Sequence, residues 1–278
     1  MMDNTQAHIG SQAGDISPAQ PRLMCVATHH KAGTIWIKRV IMSLAAAIGV
    51  PWIGIWSERY LNRVPGIGRA FLCNWAGSFP TALWNSVETA FVHVIRDPRD
   101  VLLSGCAYHQ IAPPKGEKFL HIPRADLDGQ TYQQHLNALS VPKDRLLFEM
   151  ANKHAETVAE MRAWPYGDPR STELRYEDLM ADTKCHAIRH AFGALGLRGG
   201  EIDSGVQAFW DNSLFGGLAD QSAQTGRLRD HVQSGGRLRR WEQELPRSVG
   251  QAYADRFGDD LIALGYEKDN SWVGRLAA

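Results

Sequence analysis

Residues 28–36 read Thr28-His29-His30-Lys31-Ala32-Gly33-Thr34-Ile35-Trp36, and their neighbours decide what the stretch is. Before it, Leu23-Met24-Cys25-Val26-Ala27 is a short apolar run of the kind buried in a parallel sheet. After it, Ile37, Val40, Ile41, Leu44 and Ile48 recur at helical spacing, with Lys38 and Arg39 on the other side, until Gly49 and Pro51 stop the helix. A strand, a tight turn and a helix start together suit a phosphate, because the first helical N–H groups lack intrahelical acceptors and the helix dipole favours an anion there. Lys31 adds a full charge and Gly33 lets backbone approach closely. Lys31-Ala32-Gly33 alone would equally fit a strand–turn–helix with no ligand. The order also differs from the Walker loop, in which Lys follows the second Gly.

A second unit repeats the logic. Phe91-Val92-His93-Val94-Ile95 reads as a buried strand, followed by Arg96-Asp97-Pro98-Arg99-Asp100-Val101 and a helix over residues 98–109. Asp97 suits an N-cap, Pro98 the first helical position, and Asp100 the acceptor of a capping box. Arg96 then stands at a strand tip, the ligand side of an open α/β sheet. Read alone, it would equally serve as a solvated charge beside a helix start.

The chain has 278 residues, 44% of them apolar, which is enough for one sizeable core. Lys+Arg and Asp+Glu both number 30, so no bulk field draws it to nucleic acid or anionic lipid. Any anion must be held by local basic clusters. Cys25, Cys73, Cys106 and Cys185 show neither metal-ligand spacing nor a disulfide framework, which fits a reducing cytoplasm. Residues 1–20 are polar and read as a disordered lead, leaving 21–278 as one domain. The most apolar segment, residues 40–56, is interrupted by Gly49, Pro51 and Gly54, so no transmembrane segment is expected.

Residues 52–69 read as a loop region over a pocket, 69–73 as a strand and 110–129 as a long loop. A short helix is expected over 132–139. A longer one is expected over 144–164, with Leu147, Met150, His154, Val158 and Met161 on one face and His154 packed rather than ligating. A strand over 172–176 precedes helices at 186–195 and 205–211, and helix from Trp241 to Leu264 closes the chain. Such alternation implies an α/β fold of three layers: a P-loop-like, mainly parallel central sheet flanked by helices on both faces.

Lys31-x-Gly33-Thr34-x-Trp36 resembles the 5′-phosphosulfate loop of the cytosolic and bacterial-type sulfotransferases that use 3′-phosphoadenosine 5′-phosphosulfate (PAPS). Arg96, with Ser104 eight residues later, resembles that family's 3′-phosphate pair. Arg175-Tyr176-Glu177-Asp178-Leu179, Leu195-Gly196-Leu197, and Trp241 with Leu264-Gly265-Tyr266 extend the resemblance over about residues 22–267. The resemblance implies that Lys31 holds the sulfate side of the donor. It implies that Ala32, Gly33, Thr34 and Ile35 offer N–H groups to the 5′-phosphate, with the Thr34 hydroxyl adding to them. Trp36 would stack on adenine, Tyr176 would hydrogen-bond it, and Ser213 in Asn212-Ser213-Leu214 would add a contact. Ala32 is usually Ser in the animal cytosolic branch and Ile35 usually Thr, so two side-chain contacts are lost. In the last motif Gly236 and Trp241 keep the spacing, but Ser234 stands where the family has Arg. One or more of Arg237, Arg239 and Arg240 would supply that charge, unless the three form a solvated basic helix start.

Many of these enzymes use a His as general base shortly before the second motif. Here that stretch is Leu72-Cys73-Asn74-Trp75-Ala76-Gly77-Ser78-Phe79-Pro80, without His, and Asn74 cannot accept a proton as His would. Others use a Glu after the first helix, which makes Glu58 the candidate base unless it serves only in a surface ion pair. His29, His30 and His109 are its rivals. The implied activity is sulfuryl transfer to a hydroxyl or amine of a small-molecule, lipid or carbohydrate acceptor, without a metal. The acceptor would enter over residues 52–80 and 110–135. Oligomerisation stays open. Two alternatives remain: a nucleotide kinase with a degenerate phosphate loop, whose only evident metal ligand would be Asp97, and a nucleotide-binding protein without catalysis.

Overall fold

The computed structural model describes residues 21–115, 117–220 and 235–276; the expected lead at 1–20 and Ser234 lie outside them. Strands β1 (Leu23–Ala27), β2 (Trp52–Gly54), β3 (Ala70–Asn74), β4 (Thr89–Ile95) and β5 (Ser171–Arg175) form one parallel sheet in the order β2-β3-β1-β4-β5. From β1 the chain passes to the edge strand β2, returns to β3 beside β1, then crosses to β4 and β5 on the other side. The carboxyl ends of β1 and β4 therefore flank a topological switch point, where open α/β sheets bind ligands. The two loops read from the sequence begin there.

Alternating side chains explain why β1 is apolar throughout. Met24 and Val26 face a cluster with Ile37, Val40, Ile41 and Leu44 of helix α1 (Thr34–Ala47) and with Ile188 and Phe192. Leu23, Cys25 and Ala27 face the opposite cluster, with Phe79, Leu83, Phe91 and Trp164. Both faces are covered, which is the expected three-layer arrangement. A further cluster joins Leu102, Tyr108, Leu146, Trp241 and Tyr253 beside the sheet.

Helices α2 (Thr81–Trp84) and α4 (Tyr132–Ala138) stand before and after α3 (Pro98–His109) in the chain, and α3 begins as read, with Asp97 as N-cap accepting from the Arg99 N–H at 3.0 Å. Its capping box does not form. The Asp100 carboxylate turns away, accepts from the Trp241 N–H at 3.1 Å and lies 3.7 Å from Arg96. The expected helix over 144–164 is two helices, α5 (Pro142–Ala151) and α6 (Lys153–Arg162). Asn152 separates them at φ −116°, ψ −112°; its amide donates to the Phe148 carbonyl at 2.8 Å and accepts from Arg124 at 3.1 Å. Side-chain bonds of this kind compete with the helix ladder. His154 is packed, 2% exposed, with Nε2 2.9 Å from the Tyr253 hydroxyl. The closing helix is likewise divided, into Trp241–Glu244 and Arg247–Ala263, because Leu245 precedes Pro246 and is driven out of the helical region. Residues 205–211 belong to a longer helix, Gly200–Asp211, and the expected loop at 52–69 contains the edge strand β2.

Candidate active site

A cavity of about 540 Å³ opens at the switch point. The turn after β1 reaches it through two left-handed residues, Lys31 at φ 60° and Gly33 at φ 88°. Glycine is required at the second: a Cβ there would stand 2.8 Å from Cδ2 of Tyr176. Gly33 is also the N-cap of α1, and no side chain among the described residues caps the helix. The first intrahelical bond runs from the Ile37 N–H to the Gly33 carbonyl, 3.0 Å. Gly33, Thr34, Ile35 and Trp36 all line the cavity, so the start of α1, whose first amides lack intrahelical acceptors, opens on it.

Two donors expected in this cradle are used elsewhere. The Ala32 N–H donates to the His29 carbonyl at 3.0 Å, and the Ala32 methyl packs with Ile95 and Val101. The Thr34 hydroxyl donates to the same carbonyl at 2.8 Å and meets the Thr28 hydroxyl at 2.8 Å. Its proton closes the loop.

The second cradle stands at the tip of β4. Arg96 is 5% exposed, donates from Nη1 to the Lys31 carbonyl at 3.1 Å and lies 4.7 Å from the centroid of the Tyr176 ring. Its buried Nε has no hydrogen-bond partner among the described residues. Ser104, two turns into α3, lines the same cavity, as do Lys31, Trp36 and Tyr176. Lys31 Nζ stands 4.0 Å from the Tyr108 ring centroid. Burial, with the Arg96 charge adding to it, lowers its pKa to about 7, so the loop holds its cation at a cost that an anion would relieve.

Other expected contacts fall differently. Trp36 stacks one face on Phe209 at 4.8 Å and meets Tyr176 edge-on at 6.1 Å, so it is partly a core side chain. Ser213 is buried and donates to the Trp210 carbonyl at 2.9 Å; its neighbours Asn212 and Leu214 line the cavity instead. Gly236, at φ 76°, packs against Leu214 and Met180 behind the lining. Arg237, Arg239 and Arg240 pair with Glu244, Glu242 and Glu244, and none is among the cavity-lining residues. Asp97 is held by Arg99 through contacts of 2.8 and 3.0 Å, which leaves it an anchor rather than a metal ligand. Among the described residues no group of three or more His, Cys, Asp or Glu is placed to hold a metal, and no helix is long and apolar enough to cross a membrane.

Glu58 begins an exposed 3-10 turn, Glu58–Arg63, away from the cavity lining. Asn74 is a structural hub: its amide donates to the carbonyls of Ile55 and Ser78 at 2.6 and 2.7 Å and accepts from the Ala76 N–H at 2.8 Å. Of the three histidines, His30 lines the cavity while His29 and His109 are buried behind it. Both pairs are bridged, His29 to His93 at 2.7 Å and His30 to His109 at 2.9 Å. His109 Nδ1 lies 2.8 Å from Glu149, which also accepts from the Tyr132 hydroxyl at 2.7 Å. Sequence reasoning missed Glu149, although a signal existed. It shares the buried face of α5 with Leu146 and Met150, and a carboxylate on an apolar face is rarely left unpaired. Glu117, Lys153 and Glu160, also missed, line the cavity with Trp56, Trp75 and Phe119.

No family model matches the chain, and no curated protein matches it in sequence. Solved structures do match. Mouse sulfotransferase SULT7A1 complexed with PAP, the desulfated donor 3′-phosphoadenosine 5′-phosphate, aligns over 87% of this chain and 84% of its own at 13% identity and a TM-score of 0.57. Retinol dehydratase in complex with androsterone and PAP aligns over 88% of this chain and 82% of its own at 17% identity and a TM-score of 0.51. Retinol dehydratase with retinol and PAP gives the same coverage and TM-score at 18% identity. The five-stranded parallel sheet with its two strand-tip loops is therefore the sulfotransferase fold.

Proposed function

We propose that the protein transfers a sulfuryl group from PAPS to a hydroxyl or amine of a small-molecule acceptor. The observation that carries this reading is the convergence of Lys31 and the start of α1 with Arg96 and Ser104 on one cavity. Two anion cradles at neighbouring strand tips suit a nucleotide phosphorylated at both ends. Lys31 and the amides of residues 33–36 would take the 5′ side, and Arg96 with Ser104 the 3′-phosphate. Trp36 and Tyr176 would border the adenine, with Asn212 and Leu214 beyond.

The chemistry follows from where charge develops. In an in-line displacement the bond from sulfur to the 5′-phosphate oxygen breaks as the acceptor oxygen attacks, and negative charge grows on the leaving oxygen. Lys31 and the helix start stabilise that charge without reorganising. Trp56, Trp75 and Phe119 in the cavity lining favour a flat or apolar acceptor, in keeping with the androsterone and retinol held by two structural neighbours. Four buried free cysteines accord with a cytoplasmic location, and residues 21–278 would act as one domain.

The test uses purified protein, PAPS and a pooled acceptor library without magnesium. PAP release that depends on acceptor supports sulfuryl transfer. Tight PAP binding without turnover would favour a non-catalytic binding protein, and turnover only with ATP and magnesium would favour a kinase.

A further inference from the structure

Resting on the sulfuryl transfer proposed above, we propose that His30 takes the acceptor's proton and that buried His109 and Glu149 act as positioning residues behind it. The hydrogen bonds determine the direction of the chain. Glu149 Oε2 accepts from the Tyr132 hydroxyl at 2.7 Å and sits 2.8 Å from His109 Nδ1, so Nδ1 carries the hydrogen. Neutral His109 then has its lone pair on Nε2. That atom lies 2.9 Å from His30 Nε2, which must donate to it. His30 is thereby held as the tautomer whose basic atom is Nδ1, on a residue that lines the cavity beside Lys31.

The surroundings are built for this arrangement. Glu149 is 1% exposed, and its other oxygen would lie 3.0 Å from a Cβ at position 105, which Gly105 omits. Phe119 and Tyr132 stand edge-on to the His109 ring at 5.4 and 5.7 Å and exclude water from the relay. A buried carboxylate costs stability unless paired. Here it faces an imidazole pair that ends at the cavity, where a positive charge on His30 would otherwise be opposed by Lys31 and Arg96. As the acceptor oxygen bonds to sulfur, and sulfur parts from the 5′-phosphate oxygen, the acceptor's proton passes to His30 Nδ1. The resulting imidazolium keeps its Nε2–H on His109, whose Nδ1–H remains on Glu149. The other charged or titratable groups bordering the cavity are Lys38 from α1, Tyr108 from α3, Glu117 before Phe119, Lys153 and Glu160 from α6, and Tyr176.

The experiment measures kcat and kcat/KM from pH 5 to 9, with PAP affinity alongside, for wild type, His30→Gln, Glu149→Gln and Glu160→Gln. His30→Gln is expected to lower kcat by about 10²–10⁴ and to abolish the acid limb of the profile, with PAP affinity within about threefold of wild type. Glu149→Gln should move that limb to lower pH, because the imidazolium loses its anion, and Glu149→Asp should restore part of the shift. If the Glu149 variants fail to fold, His109→Gln reads the same displacement. Wild-type kcat and an unchanged limb in His30→Gln would overturn the proposal, as would a limb that vanishes only in Glu160→Gln. A wild-type protein that binds no PAP would instead overturn the donor assignment itself.

Discussion

Raising the pH from 7 to 9.5 should weaken PAP binding to the wild-type protein and leave Lys31→Arg nearly unaffected. Burial, reinforced by the Arg96 charge, brings Lys31 from 10.5 down to about 7, so the ligand-free loop holds roughly half its cation at neutral pH. A phosphate or bridging oxygen beside Nζ favours the ammonium again, so PAP must bring a proton with it. Affinity then falls by up to about tenfold, or about 1.4 kcal/mol, for each pH unit above 7 until the raised pKa of the complex is reached. The second ionisation of the phosphates, near pH 6, is complete over this range and adds little. Calorimetry in buffers of different ionisation enthalpy should report uptake of roughly half a proton at pH 7, rising toward one by about pH 9. Arginine stays charged throughout, so Lys31→Arg should show neither uptake nor slope. A flat wild-type profile, or a slope that survives in Lys31→Arg, would refute the claim that Lys31 meets the anion. The same shift acts on folding with a definite sign. The folded pKa is below the unfolded one, so the unfolded chain binds more protons between about pH 7 and 10.5. Stability of the ligand-free protein should therefore rise with pH across that window.

Arg96→Ala should cost about 10- to 150-fold in PAP affinity, the loss of charge-assisted hydrogen bonds worth about 1.5–3 kcal/mol. It also strands buried Asp100, 3.7 Å away, so denaturant unfolding should show a loss of about 3–5 kcal/mol that Arg96→Ala/Asp100→Asn largely restores while affinity stays low. Burial lowers His154 from 6.5 to about 3, so the unfolded chain takes up that proton first. Stability should be full above pH 6.5 and decline by up to several kcal/mol toward pH 3, a decline that acid titration of His154→Gln should find reduced. Glu58→Gln should keep wild-type kcat in the sulfuryl-transfer assay, since its exposed carboxylate lies outside the cavity lining; a loss beyond tenfold would return it as the base.

The parts legible in sequence were those whose causes are local. The buried strand before Thr28 announces itself by uninterrupted apolar residues, because both faces of β1 are covered. The start of α3 follows from Asp97 and Pro98, neighbours whose capping geometry needs nothing from elsewhere. Gly33 could be singled out as a turn glycine that lets backbone come close, though only the fold shows its left-handed φ and the Tyr176 ring that enforces glycine there. Where reasoning from neighbours failed, a distant partner had intervened. Asp100 left its capping box for the Trp241 amide, and Arg99, an unremarked member of the second motif, is clasped between Trp241 and Trp272 at 3.5 and 4.6 Å and tied to Glu267 at 2.6 Å. Arg237 and Arg240, candidates for phosphate binding, pair with Glu244, a local partner a few residues on.

From its residues alone, this chain specifies a mainly parallel α/β sheet with tight turns after the strands at 23–27 and 91–95, since apolar runs, turn glycines and caps act over a few residues. The tertiary structure alone decides which side chains share the cavity and what stands behind them. Glu149 lies 40 residues from His109, and His109 a further 79 from His30. Only the packing of α5 against α3, and of α3 against the loop after β1, joins these three separated residues in one hydrogen-bonded line that ends at the cavity.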